Sequence, residues 1–189
     1  MSSQDPKHDE ARLVQAMAAG ERRSFRQLYE RYGRRMYLYA LRRLGDEDRA
    51  QDLLQESLLA AWEGAGRFRG EGRLIAWLLK IVHNKSLQIL AQRPVTGLEA
   101  AHRQPASEET PEEWASRSEQ QAVLRRGLER LSPDHRGVLE LVFFQGLSLS
   151  EVAEVCDCPL GTVKSRLSYA KRALQGELTR VGFGTEDLG

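Results

Sequence analysis

The second half of the chain contains SLSEVAEVCDCPLGTVKSRLSYAKRAL, which runs from Ser148 to Leu174 and decides the local fold. Ser148 and Glu151 have the spacing of a capping box, so a short helix is predicted to begin there. Residues 157–159 then turn the chain. A longer helix follows, with apolar residues every three or four positions: Leu160, Val163, Leu167, Ala170, Leu174 and Leu178. A short helix, a tight turn and a longer helix predict a helix-turn-helix unit, whose last helix would enter a DNA major groove.

The other face of the long helix is basic and polar. No acidic residue lies between Cys158 and Gly176. Cations can neutralise phosphates, and hydroxyl and cationic groups can address base edges. A basic helix face is more often merely solvated, but the capped helix and the turn before it favour DNA binding here. The candidate contacts are Thr162, Lys164, Ser165, Arg166, Ser168, Tyr169, Lys171 and Arg172.

The remaining periodic stretches are also helical. In the first half, Ser24 and Gln27 predict a capping box at the start of one helix. Gly45 ends that helix, and Asp46 is the expected N-cap of the next. In the second half, Ser132 and Pro133 have the favoured N-cap and first-turn arrangement. No run of alternating β-branched residues competes with these patterns, so the predicted fold class is all-α.

Charge divides the 189 residues into three parts. Residues 21–93 contain 15 basic and 9 acidic side chains, whereas residues 94–120 contain 2 basic and 6 acidic ones and three of the six prolines. Such a middle segment is typical of a flexible, acidic linker. We therefore predict two small helical modules, at residues 10–93 and 121–180, joined by a linker at residues 94–120.

Several function classes are disfavoured by the sequence. The chain lacks an apolar run long enough for membrane insertion and an N-terminal secretory signal, and its two cysteines cannot build a disulfide framework, so a cytoplasmic location is expected. Structural zinc requires four ligands, which Cys156 and Cys158 alone do not supply, so no metal or cofactor is expected. The Walker loop and the H-E-x-x-H and G-x-S-x-G motifs are also missing, which disfavours an enzyme.

Both modules carry a family resemblance. The stretch LERLSPDHRGVLELVFFQGLSLSEVAEVCDCPLGTVKSRLSYAKRAL, residues Leu128 to Leu174, resembles the promoter −35-binding region of bacterial RNA polymerase sigma factors, most specifically in GLS, SEVAE and GTVKSRL. Residues Phe25 to Leu90 resemble the other conserved sigma module, with DRAQDLLQE, the FRGEG loop and IAWLLKIVHN in the expected order. Two modules in this order, without a further domain, are similar to the extracytoplasmic-function (ECF, group 4) sigma factors.

The resemblance implies a role for each candidate residue. The −35 element would be read through Lys164, Ser165, Ser168 and Tyr169, with phosphate contacts from Arg166 and Lys171. Recognition and opening of the −10 element would use Arg67, Phe68, Arg69, Trp77, Lys80, His83, Asn84 and Lys85. Binding to the β′ coiled coil of core polymerase would use Asp48, Asp52, Leu53, Gln55 and Glu56. The implied partners are core RNA polymerase (β′ coiled coil and β flap), promoter DNA and an anti-sigma factor.

Two departures from the family pattern bear on these expectations. Ser168 and Tyr169 stand where many relatives have a larger or a basic residue, so the recognised −35 sequence is expected to differ from common ones. The turn reads CDCP where leucine and glycine are commoner, and Asp157 can adopt the left-handed conformation in place of glycine.

The alternative function is a stand-alone helix-turn-helix regulator, which would bind an operator without polymerase.

Overall fold

The computed structural model describes residues 6–70, 72–91, 127–128 and 130–180, and its regular elements there are all helical. The predicted linker lies outside the described residues. A 3₁₀ turn spans Ala65–Arg67 and a π-helical turn spans Glu140–Phe144. Within the described part of the chain there are seven α-helices: α1 Pro6–Ala18, α2 Arg22–Leu44, α3 Glu47–Gly64, α4 Leu74–Ala91, α5 Pro133–Leu139, α6 Leu149–Cys156 and α7 Leu160–Arg180. The all-α prediction is confirmed.

Residue contacts divide the chain into two compact units. One comprises Met1–Ala101 with Leu147–Cys158, and the other comprises His102–Gly146 with Pro159–Gly189. The first unit contains α1 to α4 and α6, and α1 to α4 surround a core of aliphatic side chains and one tyrosine. Its most completely buried members are Val14, Met17, Leu28, Met36, Tyr39, Leu44, Leu53, Leu74, Ile75, Leu78 and Leu79.

In the second unit, α5 packs against α7. Leu131, Leu139 and Ala170 form its buried cluster, and partly buried Leu128, Leu167, Ala173 and Leu174 pack around it. The apolar stripe read along α7 is thus the stripe that faces this core. Burial on one side leaves the basic and polar side of α7 for solvent.

Most of the predicted helix ends are confirmed. Gly45 ends α2 with φ 69°, and the Asp46 side chain accepts a hydrogen bond from the Arg49 N–H. The side chain of Ser132 caps α5, whose first residue is Pro133. A complete capping box starts α6: the Glu151 N–H donates to Ser148 Oγ, and the Ser148 N–H donates to Glu151 Oε2 at 2.8 Å.

The capping box predicted at Ser24 and Gln27 is wrong. Helix α2 already begins at Arg22, with Glu21 as its N-cap residue, so Ser24 lies inside the first turn. The Ser24 hydroxyl donates to Glu21 Oε2 at 3.1 Å instead of capping a helix. Gly20, with φ 85°, allows the chain to turn directly from α1 into α2. The helix therefore begins before Ser24, which cannot be its N-cap residue.

The sequence patterns do not predict helix α1, because its buried apolar residues are Leu13, Val14 and Met17 and these make too short a helical period.

Among the described residues, none of the helices combines the length and the apolar character that a bilayer crossing requires.

Candidate nucleic-acid and polymerase interfaces

The solvent side of α7 carries a row of three side chains at four-residue steps. Lys164, Ser168 and Arg172 are all exposed, while Val163 and Ala170 on the other side are fully buried. Residues four apart on a helix lie one above the other. The helix therefore presents two cations with a hydroxyl between them along one line.

The other candidates on α7 are engaged within their own unit. The Arg166 guanidinium pairs with the Asp134 carboxylate, and the Ser165 hydroxyl donates to the Thr162 carbonyl at 3.0 Å. These contacts keep Arg166 and Ser165 close to the protein surface. A DNA contact by either side chain would replace or share a bond that it already makes.

Two further contacts shape the rim of this surface. The ring of Tyr169 lies 4.5 Å from that of His135, and the ammonium of Lys171 lies 5.2 Å from the centroid of the Phe143 ring. Tyr169 nevertheless remains about half exposed, at 53%. The tilted ring contact and the cation–π contact restrict both side chains without removing them from solvent.

In the first unit, the loop before α4 and the outer side of α4 present the candidates for the −10 element. Arg67 and Arg69 are exposed, and the ring of Phe68 lies 5.2 Å from that of Trp77, both rings being half-buried. Trp77, Lys80 and Asn84 follow one another at helical spacing, so α4 carries them on one side. The loop cations and this side of α4 are joined through the Phe68–Trp77 contact.

Two expected −10 contacts have other positions. His83 is only 4% exposed, and its Nδ1 lies 2.8 Å from the Tyr39 hydroxyl, so the structure makes it an interior residue that links α2 to α4. Lys85 is partly exposed, but its ammonium pairs with Glu56 Oε2 at 3.1 Å. The apolar period of α4 predicted neither position, because both side chains lie at the border of the stripe.

The outer face of α3 presents an acidic and amide surface. Asp48, Asp52, Gln55 and Glu56 are exposed, whereas Leu53 is a core residue with 1% exposure and does not reach that surface. Sequence reasoning missed Leu59, which is 58% exposed. Its signal was a leucine three residues after Glu56, a helical step from the polar side of α3.

The described residues offer no group of three or more His, Cys, Asp or Glu side chains suited to a metal ion. Cys156 and Cys158 are half-buried thiols.

Comparison with known proteins gives these surfaces a context. Residues 28–93 match the family Sigma-70 region 2, and residues 127–176 match Sigma-70, region 4. The chain is 31% identical to the RNA polymerase sigma-H factor of Pseudomonas aeruginosa, over 88% of this chain and 92% of that protein. It is 31% identical to the ECF RNA polymerase sigma factor SigL of Mycobacterium tuberculosis, over 89% of this chain and 97% of that protein. The chain belongs to the ECF sigma factors of RNA polymerase.

A solved structure agrees with this assignment. The sigma factor is similar to RpoE of Bartonella quintana, solved in complex with the anti-sigma factor NepR, with a TM-score of 0.68 and 26% identity over 82% of this chain and 96% of that one. The function is promoter-specific transcription initiation, and core RNA polymerase and promoter DNA are its partners. Sigma factors are in general DNA-recognition subunits of the polymerase without enzymatic activity. A stand-alone regulator is not favoured, because the sigma factor carries region 2 as well as the helix-turn-helix.

Proposed function

We propose that the two modules divide the work of initiation by surface. Residues 121–180 read the −35 element through the outer side of α7, and residues 10–93 read and open the −10 element through the loop and α4. The outer face of α3 binds the polymerase β′ coiled coil, and residues 94–120 tether the modules. The observation that carries this proposal is the exposed row of Lys164, Ser168 and Arg172, set opposite a buried apolar stripe on the same helix.

The chemistry of the −10 surface supports strand opening. Unpaired bases need an aromatic or apolar surface, and the strand that carries them needs cations. Phe68 and Trp77 supply the first, while Arg67, Arg69 and Lys80 supply the second. Because His83 and Leu53 are buried, their contribution is to hold α4 and α3 in place.

Run-off transcription on a genomic fragment library tests the proposal. Core polymerase is assayed with and without the sigma factor, and discrete new transcripts are expected only when it is present. Lys164→Ala should weaken initiation by changing the −35 preference, and Lys80→Ala should reduce opening at the −10 element. Initiation by both variants at wild-type level and at the same start sites would contradict the assignment of these surfaces.

We also propose that an anti-sigma factor holds this protein inactive in the cytoplasm, where promoter DNA and polymerase are found. The support is that the RpoE neighbour was solved with such a partner. Co-purification from uninduced cells should recover a protein partner that leaves when the sigma factor binds polymerase. Repeated recovery of polymerase alone would count against this.

A further inference from the structure

The carboxylate of Glu10, on α1, accepts hydrogen bonds from two other helices. Glu10 Oε1 accepts from the Tyr32 hydroxyl on α2 at 2.7 Å, and Glu10 Oε2 accepts from the backbone N–H of Leu74 at 3.0 Å. Leu74 is the first residue of α4. Both oxygens of one carboxylate are thus committed, and each bond joins a different pair of helices.

The bond to Leu74 has the chemistry of a helix cap supplied by another helix. The first N–H groups of a helix lack partners within it, and the helix dipole favours a negative charge at that end. No acidic residue lies in the first turn of α4. The Glu10 carboxylate supplies both the acceptor and the charge, and it fixes the point at which the loop ends and α4 begins.

The same helix contacts the loop that carries the −10 candidates. A Cβ on Gly70 would lie 3.8 Å from the Cβ of Ala11, the residue after Glu10. Gly70 has φ +72°, so the backbone bends there beside α1. The 3₁₀ turn Ala65–Arg67 also packs against α1. The segment from Arg67 to Arg69 is therefore restricted by its contact with α1 and by the ring contact of Phe68 with Trp77.

The electrostatics around Glu10 agree with a fixed carboxylate. The pKa of Tyr32 is raised to about 12, first by burial and then by the hydrogen bond to Glu10 and the charge of Glu10. The pKa of Arg35 is lowered, first by burial and then by the charge of Arg73, while Glu10 partly opposes this. The charge of Glu10 thus acts on Arg35 as well as on Tyr32.

We propose that Glu10 is a positioning residue for promoter opening: by tying α1 to Tyr32 and to the first N–H of α4, it holds the Arg67–Arg69 loop in the conformation that engages the −10 element. This inference rests on the proposed role of the loop. Glu10 itself does not touch DNA in this scheme.

The experiment uses holoenzyme assembled from core polymerase and the full sigma factor on a mapped promoter. Opening is followed by permanganate reactivity of thymines in the −10 element, and core binding and thermal unfolding are measured on the same variants. Glu10→Ala should slow opening about tenfold, which corresponds to about 1.4 kcal/mol and lies within the range for loss of a helix cap. Core binding should not change.

Three variants make the result specific. Glu10→Gln keeps an acceptor for Leu74 and should restore at least half of the opening rate lost in Glu10→Ala. Asp9→Asn removes a neighbouring carboxylate of α1 and should behave as wild type. Arg69→Ala tests the loop itself and should slow opening if the proposed function is right.

The outcomes separate the two proposals. If Arg69→Ala slows opening and Glu10→Ala matches Asp9→Asn, the inference about Glu10 is overturned and the role of the loop stands. If Arg69→Ala and Arg67→Ala open the promoter as wild type does, the role of the loop is overturned and the inference falls with it. If Glu10→Ala does not fold, Tyr32→Phe decides: opening slowed two- to threefold supports the inference, and a wild-type rate overturns it.

Discussion

At the scale of single residues, the cations of α7 are not equivalent. Lys164 and Arg172 are exposed in one row, whereas Arg166 already pairs with Asp134. A free cation can move to a base edge or phosphate without giving up a protein contact. We therefore expect the row, rather than the total charge of the helix, to determine binding to the −35 element.

Lys164→Ala is expected to cost about 1–3 kcal/mol of −35 binding and to relax the base preference at one position, as for loss of a base-edge contact. Arg172→Ala should weaken binding equally on all sequences and lower the salt dependence by about one unit of slope. Both are measured by competition of holoenzyme for promoters mutated in the −35 element. Equal loss on every promoter with Lys164→Ala would mean that this lysine contacts phosphate only.

Asp134→Asn removes an ion-pair partner of Arg166 and an anionic group near α7. Exposed ion pairs contribute up to about 1 kcal/mol, so promoter binding by the variant holoenzyme should tighten about two- to fivefold at low salt. The gain should shrink as salt is added. The double variant Asp134→Asn/Arg166→Ala is the control, since it has no arginine to release. If the double variant binds the promoter more tightly than Arg166→Ala alone does, the cause is the loss of repulsion between Asp134 and DNA.

Tyr32 gives the fold an alkaline limit. Its folded pKa, about 12, lies above the ordinary value of 10.0, so the protonated hydroxyl is the form that the folded state prefers. The contribution of Tyr32 to the free energy of unfolding is complete below pH 10 and is lost as the pH rises toward 12. The free energy of unfolding falls over this range by at most about 1.4 kcal/mol per pH unit. Tyr32→Phe should flatten the fall in unfolding free energy across this window, as measured by urea titrations. Tyr29→Phe, in the exposed tyrosine of the same helix, should not.

At the scale of elements, the turn between α6 and α7 depends on one residue. Asp157 has φ 49° and ψ 49°, and it is the sole non-glycine residue with positive φ in the part of the chain that the structure describes. Its N–H donates to the Ala153 carbonyl and ends α6. The expectation that aspartate takes the place of glycine here is confirmed.

Asp157→Val should lower the free energy of unfolding by about 1–2 kcal/mol, because a β-branched residue is strained in the left-handed region. Asp157→Gly should remove that strain and leave stability within about 0.5 kcal/mol of wild type, because the added chain entropy offsets the gain. Chemical denaturation gives both values. A stable Asp157→Val protein would mean that the turn can adopt another conformation.

The helix ends also show what sequence patterns can and cannot predict. Caps at Asp46, Ser132 and Ser148 were predictable because a side-chain acceptor, a helical period and a punctuating residue coincide there. At Ser24 the same signal was misleading, since Gly20 had already turned the chain and Glu21 had taken the N-cap position. The π-helical turn at Glu140–Phe144 has no comparable signal.

Site residues were predictable to the extent that their side of a helix was unambiguous. The polar side of α7 follows from the apolar stripe opposite it. Leu53 and His83 fall at the border of such stripes, where a rotation of one residue decides between core and surface. Glu10 could not be found from spacing at all, because its partners Tyr32 and Leu74 are distant in the sequence and meet it only in the folded unit.

At the scale of the whole molecule, a net charge of +1 hides a local excess. The cations of α7 lie in a stretch without acidic residues, while acidic side chains dominate the linker sequence and the outer face of α3. Long-range attraction to DNA is therefore weak, and binding depends on the few cations that reach it.

Without polymerase, the full chain should bind a −35 duplex only weakly, near the non-specific range of about 10⁻⁴–10⁻⁶ M. The logarithmic salt slope should be about −3, as for three phosphate contacts. Fluorescence anisotropy at several salt concentrations measures both quantities. Nanomolar, sequence-specific binding by the chain alone would instead favour a stand-alone regulator.

The ion pair between Lys85 and Glu56 joins the surface proposed for DNA to the surface proposed for polymerase. A polymerase cation that pairs with Glu56 breaks the ion pair with Lys85. The ammonium group of Lys85 can then interact with DNA. Binding at one surface then lowers the free energy of binding at the other, and the coupling must be the same in both directions. DNA bound at the −10 element would thus slow dissociation of the sigma factor from polymerase. When the polymerase leaves the promoter, the sigma factor would bind both DNA and polymerase more weakly.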